Sequence, residues 1–118
     1  MSNPLLAKNR VAEATILPNR IVKPGATDDG MLMAAAATDF LIGVVEGVAP
    51  VLGERGAVEL VGIAELKLGG TIVRGGPVTS DATGQGVAAI AGNRAVGYAM
   101  VSGVAGDVIE VLLCQHTV

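Results

Sequence analysis

Aromatic side chains are nearly absent from this 118-residue chain, which has one tyrosine, one phenylalanine and no tryptophan. Apolar residues nevertheless make up 51% of it, so that alanine, valine, leucine and isoleucine supply most of the apolar surface. This composition excludes an intrinsically disordered chain. The length predicts one domain around one core.

Long apolar runs and cysteine pairs are also missing. The longest segments without a charged residue, 82–93 and 95–106, have 12 residues each, fewer than the about 18 that span a bilayer. The single cysteine, Cys114, cannot close an internal disulfide, and the first residues lack the basic and apolar segments of a secretory signal. We therefore expect no membrane partner and assembly in a reducing cytoplasm.

Positive charge is scarce and unevenly placed. The net charge is −3 and the isoelectric point is about 4.9, which argues against nucleic acid as a partner because phosphate binding needs a concentrated basic face. The first 23 residues carry a net charge of +3, which leaves −6 for the remainder. A basic arm thus precedes an acidic body.

Groups that could perform catalysis are few and scattered. Cys114 and the only histidine, His116, would share one face of a strand, but they lack an orienting third group and further metal ligands. The carboxylates lie in turns and on solvent-facing strand positions, and the glycine segments match no phosphate-binding motif. We predict a protein that is not an enzyme, with no catalytic, cofactor-binding or metal-binding residues and no cofactor.

An internal repeat organises the chain. Sliding the sequence by 54 positions aligns Gly30 with Gly84 and Gly43 with Gly97, with three further alanine identities between them. Each copy runs through an apolar segment and a glycine turn into a second apolar strand. The repeat predicts two related β-units.

Local patterns favour strands. Residues 58–68 alternate between apolar even positions and an opposite face with Glu59, Glu65 and Lys67, as a half-buried strand does, and Gly62 predicts a bend within it. Residues 71–74 read as a short strand and residues 80–84 as a turn. For residues 31–37 a strand is favoured over a helix, because the repeat partner contains two glycines. The whole predicts a mainly β single domain that resembles a β-barrel or β-sandwich.

The N-terminal segment has three prolines, scattered apolar residues and the excess positive charge. One hypothesis is a frayed terminus with an edge strand at residues 14–17. The other is an extended arm of residues 1–20, before a domain of residues 21–118, that lies along another chain. Its candidate binding residues are Leu5, Leu6, Lys8, Arg10, Val11 and Arg20.

A succession of glycine-punctuated segments resembles a known family. These segments are residues 42–45 (IGVV), 70–81 (GTIVRGGPVTSD), 95–100 (AVGYAM) and 105–113 (AGDVIEVLL). Together they are similar to the capsid decoration, or cement, proteins of tailed bacteriophages, over about residues 20–113. The N-terminus is longer and more basic than the family pattern.

The resemblance implies a compact β-tulip-type fold on the outer surface of an icosahedral phage head. It implies that the chain clamps neighbouring subunits of an HK97-type major capsid protein and is made in the bacterial host cytoplasm. It also implies self-association, as a homotrimer or otherwise a dimer. The alternative is a non-viral β-rich binding module or a non-catalytic subunit of a larger complex.

Overall fold

Nine β-strands form the fold in the part of the chain that the structure describes, and the short valine- and isoleucine-rich runs between glycine turns predict such strands. The structure, a computed structural model, describes residues 3–47 and 49–118, and it assigns no helix within these ranges. The strands are β1 (Asn3–Ala12), β2 (Arg20–Pro24), β3 (Gly30–Met33), β4 (Gly43–Val45), β5 (Arg55–Lys67), β6 (Pro77–Ser80), β7 (Gly86–Ala88), β8 (Arg94–Ala99) and β9 (Val108–Thr117). The predicted mainly β single domain is confirmed.

The longest strand, β5, has the predicted alternation. Val58, Ala64 and Leu66 point inward and are fully buried, while the intervening odd-numbered residues lie on the outer face. Gly62 has a φ of 109°, a conformation that side chains of L-residues rarely adopt. The pairing of β1 with β5 also shifts register next to Gly62, between Pro4 and Leu6, so the strand is irregular where the sequence predicts a bend.

The two predicted β-units are confirmed by the strand pairings. In the first unit, β2 pairs with β3 and β4, and β4 pairs with β5. In the second unit, β6 pairs with β7 and β8, and β8 pairs with β9. The units join where β5 pairs antiparallel with β9.

Two repeat-related glycines have the same structural role. A Cβ atom on Gly43 would collide with the backbone oxygen of Glu59, and one on Gly97 would collide with the backbone oxygen of Leu112. In both units, therefore, a glycine lets the third strand approach the fourth. The close approach of the two backbones therefore explains why both copies of the repeat have a glycine at this position.

Substituting Gly97→Ala should lower the free energy of unfolding by about 1–3 kcal/mol, since the colliding atom belongs to backbone that cannot rotate away. Gly70→Ala is the matched control, because the atom nearest to the added Cβ, Cγ1 of Val87, would lie at an ordinary van der Waals distance of 3.5 Å. Urea denaturation of both variants tests this. Equal stabilities would contradict the role assigned to Gly97.

The basic N-terminal arm is a strand of the protein's own sheet. β1 pairs antiparallel with β5 from Asn3 opposite Ile63 to Val11 opposite Arg55, and its end pairs parallel with β3. The strands β1, β3, β2, β4 and β5 thereby close a ring. The arm is extended as predicted, but the frayed terminus is wrong for the described residues.

The edge strand expected at residues 14–17 is also wrong. This segment has no strand pairing. The amide of Ile16 donates a hydrogen bond to the backbone oxygen of Pro50, and the Ile16 side chain is fully buried. Ala12 and Ile16 pack in the same core cluster as Val22 and Val58. The division of the chain at residue 20 stays a prediction, which the experiment below tests.

Two hydrophobic clusters fill the interior. The first joins the end of β5 to β6, β8 and β9, with Leu66, Val78, Val96 and Val111 among its members. The second fills the ring of strands. Since aliphatic side chains form both clusters, no aromatic residue is needed to complete either.

Two other strand predictions need correction. Residues 71–74 form no strand but contribute one isolated bridge, Ile72 to Gly103, because the chain turns directly afterwards, where the amide of Gly76 donates to the backbone oxygen of Val73. In residues 31–37 the predicted strand is right only up to Met33, where β3 ends. The turn predicted at residues 80–84 is present, and the Asp81 carboxylate accepts N–H bonds from Thr83 and Gln85 within it.

The end of β3 is set by Asp39 rather than by helix propensity. Its carboxylate accepts hydrogen bonds from the amides of Ala35 and Ala36 and lies 3.5 Å from Nζ of Lys23. Burial alone would raise the pKa of Asp39, but the two amides and Lys23 lower it overall. The alanine run therefore turns instead of coiling into a helix.

Ala12→Asp should abolish cooperative folding or lower stability by about 3 kcal/mol or more, because Ala12 is fully buried and an unpaired charge there is costly. Ala14→Asp, at an exposed position two residues away, should change the melting temperature little. Thermal melts followed by circular dichroism check both. A stable Ala12→Asp variant would show that residues 1–20 are separate from the domain.

Candidate binding surface

Strand β1 presents apolar and basic side chains to solvent. Leu5 is 76% and Leu6 is 55% exposed, and residues 7–9 are exposed as well. Lys8 has no ion-pair partner among the described residues. Leu5, Leu6 and Lys8 are therefore accessible along β1, and we call these three residues the arm surface. Leu6 lies opposite Val61 on the outer face, whereas Lys8 lies opposite the buried Val58, so the three do not share one face of the sheet.

The other predicted arm residues are less accessible. Arg10 is half-buried, and its guanidinium donates a hydrogen bond to the backbone oxygen of Asp28 at 3.2 Å. Val11 is half-buried in the ring of strands. Arg20 is only 7% exposed and donates to the Pro18 oxygen at 3.5 Å, so it lacks the accessible charge that a partner contact needs.

A second exposed surface crosses four strands. Leu6 lies opposite Val61, Ile63 lies opposite Leu112, and Leu112 lies opposite Tyr98. Residues directly opposite in antiparallel strands share a face, so Ile63, Leu112 and Tyr98 form one row. The pair Leu6 and Val61 lies two residues away along β5, and we call the five residues the apolar sheet face. Four of its members are 38–55% exposed.

Sequence reasoning missed this surface, although a signal was present. Val61 and Ile63 occupy the outward positions of the alternating strand β5, between Glu59 and Glu65. Apolar residues on an outer face mark a contact surface more often than charged ones do. The neighbours Leu112 and Tyr98 could not be placed beside them without the register of β9 and β8.

Three glutamates crowd together beside the apolar sheet face. The Glu46 carboxylate accepts a hydrogen bond from the amide of Glu65, and one carboxyl oxygen of Glu59 is buried without a partner. Burial, a hydrogen bond with Glu46 and the charges of Glu46 and Glu65 raise the pKa of Glu59 to about 8. At neutral pH Glu59 is therefore largely protonated in the folded protein.

Stability should fall as pH rises through about 8. The pKa of Glu59 is higher in the folded than in the unfolded chain, so its contribution is fully present below the unfolded value of about 4.5 and is lost above the folded value. Glu59→Gln, which is always neutral, should flatten this dependence. Melting temperatures measured from pH 6 to 9 check it, with Glu54→Gln at an exposed site as the control.

The sequence pair Cys114 and His116 makes no nucleophile–base contact. Nδ1 of His116 lies 2.6 Å from the backbone oxygen of Cys114, so this ring nitrogen contacts the Cys114 backbone and not the thiol. The His116 ring stacks on Tyr98 with centroids 4.7 Å apart. The contacts of His116 are thus those of a packed surface side chain.

Within residues 3–47 and 49–118, no group of three or more histidine, cysteine, aspartate or glutamate side chains is arranged to hold a metal ion. Nor does this part of the chain contain a helix long and apolar enough to cross a membrane.

Comparison with known proteins yields a likeness of fold. No protein-family model matches the chain, and no curated protein matches it. The chain is similar to the crystal structure of the head fiber gp8.5 N base in bacteriophage phi29, with a TM-score of 0.75 and 17% sequence identity. The match covers 96% of this chain and 97% of that one, so the two share their whole fold.

Proposed function

We propose that this chain is a structural protein of a tailed-bacteriophage head, bound to the outer surface of the icosahedral shell. The observation that carries the proposal is the fold likeness to a head fiber base over 96% of the chain. The glycine-punctuated segments that resemble capsid decoration proteins support it independently. Both point to a protein that acts by binding.

The finer proposal is that the chain clamps neighbouring subunits of an HK97-type major capsid protein and does so as a homotrimer, or otherwise as a dimer. Two exposed surfaces that meet at Leu6, the arm surface and the apolar sheet face, support this, since a clamp needs an extended contact area. A core without large aromatics also buries little area for each side chain, so the fold gains from further association. Repeated weak contacts around a cluster add through effective concentration.

A related candidate is the base of a head fiber, in which the domain anchors a longer projection. The likeness to an N base favours this candidate. Both candidates require binding to the head. They differ in whether the isolated chain stabilises the shell, because a clamp links neighbouring capsid subunits, whereas an anchor needs to bind only one subunit.

The direct test is sedimentation of the purified chain with phage heads assembled without it. We expect saturable binding to the heads, and a clamp should also raise the temperature at which the heads rupture. Binding without any change in rupture temperature would favour the fiber base. Absence of binding would contradict both and favour the non-viral binding module.

Within this assay, Leu112→Asp should weaken binding about tenfold or more, because it places a charge in the middle of the apolar sheet face. Val104→Asp is the matched control, since Val104 is 55% exposed, compared with 45% for Leu112, and lies outside that face. Sedimentation velocity of each variant shows whether self-association changes too. Equal binding by the two variants would exclude the apolar sheet face from the interface.

A further inference from the structure

A groove lies over one end of the ring of strands, beside the exposed side chain of Phe40. Ile42 belongs to the hydrophobic cluster that fills the ring, and Leu60 packs against that cluster. We call this cavity the Phe40 groove. It has a volume of about 340 Å³ and is lined by Arg10, Phe40, Ile42, Leu60, Val61 and Gln115.

The loop that carries Phe40 is anchored on both sides of this residue. The Asp39 carboxylate accepts hydrogen bonds from the amides of Ala35 and Ala36, and Leu41 is only 2% exposed. Phe40 between them is 57% exposed. An exposed aromatic side chain on a fixed backbone loses little conformational freedom when a partner binds, and aromatic residues often dominate the binding energy of interfaces.

The floor of the Phe40 groove lies where two strands separate. β4 pairs with residues 58 and 59 of β5, whereas β9 pairs with β5 from Gly62 onward. Between these pairings, the side-chain amide of Gln115 donates hydrogen bonds to the backbone oxygens of Ile42 and Leu60, at 3.1 Å each. Both N–H groups of Gln115 are therefore used, and the remaining side-chain donors of the groove belong to arginine.

Two arginines make the Phe40 groove positively charged. The guanidinium of Arg10 donates hydrogen bonds to backbone oxygens, which carry no net charge. The guanidinium carbon of Arg94 lies 5.9 Å from the centre of the Phe40 ring. Among the described residues neither arginine has a carboxylate within ion-pair distance, whereas Lys23 and Arg55 each have one. The groove therefore complements a partner that carries a carboxylate.

A second copy of the chain does not supply such a group. Of the eleven acidic residues, all except Asp28 already take part in a hydrogen bond, ion pair or electrostatic contact of the chain. The turn of residues 26–29 around Asp28 has no large apolar side chain that could fill the cavity. The occupant must therefore bring a carboxylate and an apolar side chain from another molecule.

We infer that the Phe40 groove receives a segment of the shell protein in which an acidic residue stands next to a large apolar residue. The apolar side chain enters the cavity against Phe40 and Leu60. The carboxylate lies beside Phe40, where the charges of Arg10 and Arg94 attract it. This inference rests on the proposed function for the identity of the partner, whereas the chemistry of the segment follows from the groove.

Arg94→Gln tests the charge of the groove. Because Arg94 is exposed, the melting temperature should change little. Affinity for undecorated heads should fall about threefold to tenfold at low salt, with a smaller change at high salt. Arg74→Gln is the matched control, since it removes the same charge at an exposed position outside the groove.

Phe40→Ala tests the apolar part. Affinity for heads should fall about tenfold, because the variant removes the aromatic wall of the cavity. Leu52→Ala is the matched control, since Leu52 is 71% exposed and lies outside the groove. Thermal melts of both variants show whether the fold is intact. Should Phe40→Ala fold poorly, Arg94→Gln decides the matter.

A photo-crosslinking residue identifies the occupant. With p-benzoylphenylalanine in place of Phe40, irradiation of decorated heads should link the chain to the major capsid protein. Mass spectrometry should locate the link next to an aspartate or glutamate of that protein. The same residue in place of Leu52 is the control and should give fewer links. A link to a second copy, or to a capsid segment without an acidic residue, would overturn the inference.

The outcomes separate this inference from the proposed function. Wild-type chain that does not bind heads would overturn the proposed function and the partner with it. Wild-type chain that binds heads no more tightly than Arg94→Gln and Phe40→Ala would overturn the groove inference alone. Weaker binding by Phe40→Ala only would overturn the requirement for an acidic residue.

Discussion

Strand β5 is the constraint on which the rest of the structure depends, because both hydrophobic clusters include it. Its first half places Val58 in the cluster that fills the ring of strands, and its second half places Ala64 and Leu66 in the other cluster. Gly62, between the halves, has the backbone conformation that a bend requires. The two β-units therefore share one continuous backbone and cannot pack independently.

Patterns that depend on neighbouring residues predicted a large part of this fold. The alternation around Gly62 located β5, the residues near Asp81 located a turn, and the repeat located two units whose pairings agree. Prediction failed where the outcome depends on a distant partner. Residues 71–74 have strand composition, but only Ile72 finds a bridging partner, Gly103.

The candidate site was predicted in part for the same reason. Leu5, Leu6 and Lys8 were recognised from apolar character and charge, and they are accessible. Arg20 was grouped with them by charge alone, yet it is the first residue of β2, a strand of the ring, and it is buried. The apolar sheet face depends on the register of three strand pairs, which composition does not encode.

Closure of the ring has a consequence for how the chain folds. β1 leaves the ribosome before β5, and this partner strand is complete only when residue 67 has been made. Pairings between distant segments form slowly because a long loop must be closed first. During synthesis the strand β1 therefore remains without its partner β5, and the ring can close only after the first β-unit has emerged.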